Sequence, residues 1–196
     1  MLRLNEGIEY WKALPRNNQE ELQVADDYFD EQLMPLSLEH FLLTQRSKKK
    51  KSYYGMMLTL GTSWQPLALS IGLLQPEKIL VMYTEDTAWL LQKLKIFLQL
   101  NDSKITVALV NRSESDAIYS AMRDFYRDVH TSGDICVDIT GGTKAMSSSA
   151  AMMAAVLGLD IYYVESKYLP LYRRPLPGSE ELKSLGNPRF YFPRFT

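Results

Sequence analysis

Five short apolar runs, each separated from the next by a helical segment, constrain this 196-residue chain more than any other feature. YYGMMLTL (53–60), KILVMYT (78–84), KITVALV (104–110), DICVDIT (134–140) and DIYYVES (160–166) read as strands. Between them lie LALSIGLL, TAWLLQKLKIFLQL, ESDAIYSAMRDFYRDVH and MSSSAAMMAAVL, whose length and apolar spacing suit helices. Strands that are apolar on both faces and alternate with helices predict βαβ units in a parallel sheet covered on both sides. The expected fold class is α/β: a Rossmann-like, doubly wound, mainly parallel sheet with flanking helices, joined by right-handed crossovers and preceded by N-terminal helices.

The flanks differ in character. In segment 1–52, IEYWKAL and EELQVADDYFDEQL carry apolar residues at helical spacing; Pro15, Asn17 and Asn18 separate them, and Pro35 is expected to end the second. Trp11 and Phe41 are expected in the core, and Lys48 to Lys51 in a solvated connector. Segment 167–196 follows the 53–166 core as an extended stretch, with a hairpin expected around RRPLPGSEE. It finishes on the apolar NPRFYFPRFT, which predicts that the chain leads into a further effector domain.

A net charge of −1 gives no general attraction for long nucleic acid, so an anion site must be local. Cys136 is the single cysteine, which rules out a disulfide within the chain and fits a reducing cytoplasm. His40 and His130 stand in no metal-ligand spacing with it, so neither a metal nor a cofactor is expected. No apolar run approaches membrane-spanning length, and no membrane partner is expected.

Ligands of open α/β sheets bind beyond the carboxyl ends of the strands, near the point where strand order reverses. The loops expected there are GTSWQP, TEDT, NRSES and TGGTK, all polar and rich in hydroxyls. DITGGTKAM, Asp138 to Met146, is the most telling. Its glycines allow close backbone approach, and the helix that follows presents unpaired N–H groups, a combination suited to an anion. Lys144 lies in that helix's first turn, where the dipole disfavours a cation by roughly 0.3–1 kcal/mol. A bound phosphate would offset this. The stretch is not a P-loop, which ends in Gly-Lys-Ser/Thr, because Lys144 follows Thr143 and precedes Ala145; nor is it a dinucleotide fingerprint, since G-x-G-x-x-G follows no strand. Asp138 is expected to accept hydrogen bonds from the loop backbone. Ser147, one turn beyond Thr143, is placed to face the site, whereas Ser148 and Ser149 suit close helix packing. In the first loop, Gly61 supplies a turn, and Thr62 and Ser63 supply hydroxyls. Trp64 would stack on a base or pack in the core, and Gln65 would read a base edge or face water.

GTSWQP after the first strand, combined with DITGGTKAM after the fourth, resembles a CARF domain, the CRISPR-associated Rossmann fold; the likeness spans about 53–166. The resemblance implies a homodimeric sensor of cyclic oligoadenylate in type III CRISPR antiviral defence, regulating a fused effector. Cyclic tetra-adenylate is the commoner case in the family, and a hexa-adenylate ring also fits two-fold symmetry. Carried over by position, the ligand-binding residues are Gly61, Thr62, Ser63, Trp64 and Gln65, then Thr140, Gly141, Gly142, Thr143, Lys144, Met146 and Ser147. Thr84, Glu85, Asn111, Arg112 and Ser113 lie in loops that line the family's pocket. Some CARF domains also cleave their ligand; such a ring nuclease needs only the ribose 2′-hydroxyl held in line with its phosphate, so no catalytic residue is assigned. A third reading, a transcriptional regulator or interaction module, ranks last. Asp26, Asp27, Asp30 and Glu31 make the second helix acidic, unlike a DNA-recognition helix.

Overall fold

The computed structural model describes residues 2–111 and 114–187. The chain separates into two compact units, each built from two stretches of sequence. One comprises 1–47 with 165–181; the other comprises 48–164 with the segment from Leu182. The tail is therefore divided between the units rather than forming a third consecutive segment.

The first unit holds α1 (Leu2–Ala13), α2 (Gln19–Tyr28), α3 (Met34–Gln45) and a small hairpin of β6 (Tyr168–Leu169) with β7 (Arg174–Pro175). Asn18 caps α2 by accepting the Glu21 N–H at 2.9 Å. Pro35 does not end that helix. A π-helical turn over Phe29–Leu33 leads directly into α3, with Pro35 in its opening turn. The wider turn absorbs the missing N–H and ring bulk that would break a regular helix. Trp11, 1% exposed, packs on Phe29 and Tyr172, and its indole N–H donates to the Ala25 carbonyl at 3.0 Å. Arg16 lies over the rings of Trp11 and Tyr172, 5.0 and 4.9 Å from their centroids. It donates to the Trp11 and Leu14 carbonyls at 2.7 and 2.6 Å, closing the carboxyl end of α1. The hairpin turns earlier than its sequence suggested, over Pro170 to Arg173, because Tyr172 must reach Trp11.

The second unit is the Rossmann-like core. Its strands are β1 (Gly55–Thr59), β2 (Lys78–Tyr83), β3 (Ile105–Leu109), β4 (Ile135–Asp138), β5 (Asp160–Glu165) and β8 (Glu181–Gly186), in the spatial order β3-β2-β1-β4-β5-β8. The pairs β1–β2, β1–β4, β2–β3 and β4–β5 are parallel. Helices α4 (Gln65–Leu74), α5 (Ala88–Phe97), α6 (Ser115–Val129) and α7 (Lys144–Leu157) connect them. Met57, Leu80, Met82, Val137 and Ile161 share a core with Ile118, Met122 and Phe125 of α6 and Met146, Ala150 and Ala154 of α7. All five residues of β1 are buried, as expected for the central strand of a sheet covered on both faces. The sixth strand, ELKSLG, escaped sequence reading because it mixes polar and apolar residues and runs along the sheet's edge. Strand order reverses between β1 and β4, where Leu58 stands opposite Asp138.

At the amino edge a polar cluster ties three strands together. The Tyr53 hydroxyl lies 2.8 Å from the Asp160 carboxylate and 2.7 Å from the Tyr162 hydroxyl. Lys51 bridges Asp134 and Asp160 at 2.9 Å each, so the last lysine of the basic connector is anchored. Burial, reinforced by Tyr162 and Asp160, pushes the Tyr53 hydroxyl far above its ordinary range. Tyr53→Phe should keep the fold and lower its unfolding free energy by about 1–3 kcal/mol, read by urea denaturation, because Asp160 and Tyr162 lose a buried partner.

Candidate ligand-binding site at the carboxyl edge of the sheet

The loops after β1 and β4 meet where strand order reverses, and three glycines make the meeting possible. A Cβ on Gly61 would stand 2.5 Å from the Gly142 nitrogen, and one on Gly141 would stand 2.2 Å from the Thr59 carbonyl oxygen. Gly142 adopts φ +86°, a conformation costly for any residue with a side chain. The backbones therefore touch as no larger residue would allow. Side chains then lock the β4 loop. Thr59 and Ser147 both donate to the Gly141 carbonyl, at 2.6 and 2.7 Å. Thr140 accepts the Val164 N–H at 2.8 Å, tying the loop to β5, and its own N–H donates to Asp138 at 2.7 Å. Thr143 caps α7 by accepting the Met146 N–H at 3.2 Å.

These bonds leave several backbone donors of the two loops without a backbone acceptor. Among the described residues, the N–H groups of Gly61, Thr62 and Ser63 in one loop, and of Gly141, Gly142 and Lys144 in the other, make no backbone hydrogen bond. The amino ends of α4 and α7 stand behind them, so the helix dipoles add positive potential to the same spot. Lys144 is exposed and forms no ion pair among the described residues. The result is a cradle suited to an anionic, oxygen-rich ligand.

Several expected ligand contacts are placed otherwise. Trp64 is 2% exposed and packs on Phe97 with ring centroids 5.0 Å apart, so its ring is closed to a base. Gln65, 5% exposed, accepts the Ser63 hydroxyl at 2.6 Å and reads no base edge in this arrangement. Met146, 1% exposed, belongs to the core beneath α7. The Ser147 hydroxyl is engaged by the Gly141 carbonyl. Thr84, 6% exposed, forms a reciprocal capping box with Thr87 at the start of the turn into α5. Glu85 and Asn111 remain accessible and line a depression of about 540 Å³ with Asp86 and Glu114, whose lining includes no residue of the glycine loops. Its carboxylates disfavour phosphate there. Arg112 and Ser113 lie outside the described residues. Thr59 escaped sequence reading because it sits within an apolar strand, with no neighbouring polar residue to mark it.

Asp138 fulfils the structural role expected of it, at a cost. It is fully buried; one oxygen accepts the Thr140 N–H, and the other has no hydrogen-bond partner. Ser70 lies near, yet its hydroxyl donates to the Leu67 carbonyl at 3.1 Å. Burial pushes the Asp138 carboxyl above the usual carboxylate range, only partly opposed by Ser70 and Thr140. A carboxyl raised in the folded state favours folding at low pH and loses that contribution as pH rises from its unfolded value through its folded one. Asp138→Asn retains the Thr140 contact and supplies an N–H beside Ser70, so it should stabilise the protein by about 1–3 kcal/mol at pH 7. The gain should shrink as pH falls toward 4, as thermal melts across pH would reveal. Gly141→Ala should destabilise by at least about 3 kcal/mol in urea denaturation, since the obstructing atom is a backbone oxygen that has nowhere to move.

No protein-family model matches the chain. The CRISPR system endoribonuclease Csm6 of Thermus thermophilus is 31% identical over 136 residues, covering 66% of this chain and 28% of that protein. The chain thus spans little more than a quarter of that relative's length. Among solved structures, Can2 from Sulfobacillus thermosulfidooxidans, in complex with cyclic tetra-adenylate, superposes with a TM-score of 0.51. It is 16% identical over 57% of this chain and 32% of Can2, a likeness of fold. Enterococcus italicus Csm6, bound to cyclic hexa-2′-fluoro-hexa-dAMP, gives a TM-score of 0.46 at 13% identity, covering 65% of this chain and 37% of that one. With the paired glycine loops at the reversal point of a Rossmann-like sheet, the similarity to Csm6 supports a CARF domain of the type III CRISPR effector kind.

Proposed function

We propose that the chain is the sensor portion of a longer type III CRISPR effector and binds a cyclic oligoadenylate over the two glycine loops, with cyclic tetra-adenylate as the preferred ring. The carrying observation is the set of N–H groups in the two glycine loops that, among the described residues, make no backbone hydrogen bond, beside Lys144, which forms no ion pair among them, at the amino ends of two helices. A ring of phosphates needs several donors at fixed spacing, and backbone N–H groups of a locked loop provide them without side-chain ordering cost. Can2, which shares the fold, is a complex with cyclic tetra-adenylate, in keeping with this choice. The base contacts fall to exposed groups such as Thr62, Glu85 and Asn111, the last of which also donates to Glu114 at 3.1 Å, because Trp64 and Gln65 are buried inside the fold. Asn111 and Glu85 suit an adenine, whose amino group donates and whose ring nitrogens accept, better than they suit a phosphate.

A cradle of this kind is open on one side, and two copies related by a two-fold axis would present each loop twice to a ring of even symmetry. The functional unit in this reading is therefore a homodimer with one ring between two cradles. The effector that answers to the ring belongs to chain beyond this segment, as the small share of Csm6 covered suggests.

Calorimetry with purified cyclic tetra- and hexa-adenylate tests the proposal. Binding of the tetra-adenylate at micromolar concentration or below is expected, with weaker binding of the hexa-adenylate; absence of binding by either ring refutes it. Lys144→Ala should weaken binding by about 1.5–3 kcal/mol, the loss of a charge-assisted contact. Chromatography of the same mixtures distinguishes holding from cutting, since linear products would instead support the ring-nuclease reading.

A further inference from the structure

The two ends of the Gly141–Gly142 peptide lie in opposite surroundings. Its carbonyl oxygen accepts hydroxyl hydrogen bonds from Thr59 at 2.6 Å and from Ser147 at 2.7 Å. Thr59 is the last residue of β1 and has no solvent exposure. Its hydroxyl is polar, buried and set in an apolar strand, a placement that is costly unless the group is hydrogen-bonded. The Gly141 carbonyl is the acceptor that satisfies it. In a trans peptide the C=O and N–H point in opposite directions. The Gly142 N–H is thereby directed away from the two hydroxyls. It makes no backbone hydrogen bond among the described residues, and the space beside it is the space left by Gly61, whose Cβ would stand 2.5 Å from that nitrogen.

The planar peptide unit between two glycines is especially free to turn about the ψ and φ bonds that flank it, because neither neighbour has a side chain to oppose it. Something must therefore fix its direction if its N–H is to serve as a preset donor. We infer that Thr59 is a positioning residue for the ligand site: with Ser147 it grips the Gly141 carbonyl from β1 and α7, so that the Gly142 N–H is held toward an anionic oxygen of the ligand. The two grips come from different elements, so the peptide cannot swing without breaking a bond to one of them. That the oxygen belongs to a cyclic oligoadenylate rests on the function proposed above; the direction of the peptide does not.

The test follows the Gly142 amide resonance of isotopically labelled protein during titration with cyclic tetra-adenylate and, separately, with pyrophosphate. In the unaltered chain and in Thr59→Ser, the Gly142 amide should move downfield with either ligand. Thr59→Val should keep the fold by circular dichroism, bind about tenfold more weakly, the worth of one preset hydrogen bond, and show no such movement. If the valine variant does not fold, Ser147→Ala, at a half-buried position, should weaken binding about threefold and reduce the movement. A Thr59→Val protein that binds and shifts like the unaltered chain overturns the inference, as does a Gly142 amide that responds to neither ligand. A Thr59-dependent response to pyrophosphate without binding of the cyclic ring upholds the positioning role and removes the proposed ligand instead.

Discussion

The contact between the β1 and β4 loops is the constraint on which the rest of the site depends. Two backbones approach there more closely than any side chain permits, with Gly61 against Gly142 and Gly141 against the Thr59 carbonyl. Parallel pairing of β1 with β4 brings the loops to the same height, because Leu58 and Asp138 are register partners at the end of both strands. Reversal of strand order at this pair sends α4 and α7 away from the junction, and their amino ends remain beside it. Sheet topology thus supplies the field, and the glycines supply the access.

Rigidity in the β4 loop comes from side chains that turn inward. Thr140 holds the Val164 N–H, Asp138 holds the Thr140 N–H, and Thr59 and Ser147 hold the Gly141 carbonyl. Of these groups, Thr140 and Ser147 are hydroxyls that sequence reading offers to a ligand. The bonds to the Gly141 carbonyl turn the Gly142 N–H the opposite way, since a trans peptide group cannot present both of its ends to the same side. Asp138 illustrates the cost: one buried oxygen is bonded, the other has no hydrogen-bond partner among the described residues, and burial raises the carboxyl. A locally unfavourable group kept for the shape of a loop is the behaviour expected near a functional site.

The architecture was legible in the sequence to the extent that periodicity governs it. The five parallel strands were marked by apolar runs and the four helices by spacing, because both depend on burial against the sheet. The edge strand β8 and the π-helical passage through Phe29–Leu33 left no such trace; the first has one accessible flank, and the second depends on how a proline is accommodated. In the candidate site, DITGGTKAM marked the loop that meets the one after β1, because glycine and helix-start signals are local. Which atoms face the ligand was not legible. Trp64 read equally as a stacking platform or a core residue and packs in the core against Phe97, while Thr59 looked like strand and grips the loop. Side-chain direction at a loop is settled by partners distant in sequence, Phe97 for Trp64 and Gly141 for Thr59, and no local pattern records them.

Lys144 gains its meaning from this division of labour. A cation in the first turn of α7 opposes the helix dipole and, among the described residues, has no carboxylate beside it to relieve the conflict. Were the outward N–H groups already satisfied by the protein, the lysine would be a small uncompensated cost. Because they are unsatisfied, the lysine and the N–H groups share a single deficit, and an anion would relieve both at once. The backbone donors fix where that anion sits; the flexible lysine follows its charge. In the proposed function, specificity for a particular ring would therefore come from outside the glycine loops, from the spacing of two cradles in a dimer and from the accessible Glu85 and Asn111. An anion cradle alone would accept any phosphate of suitable size.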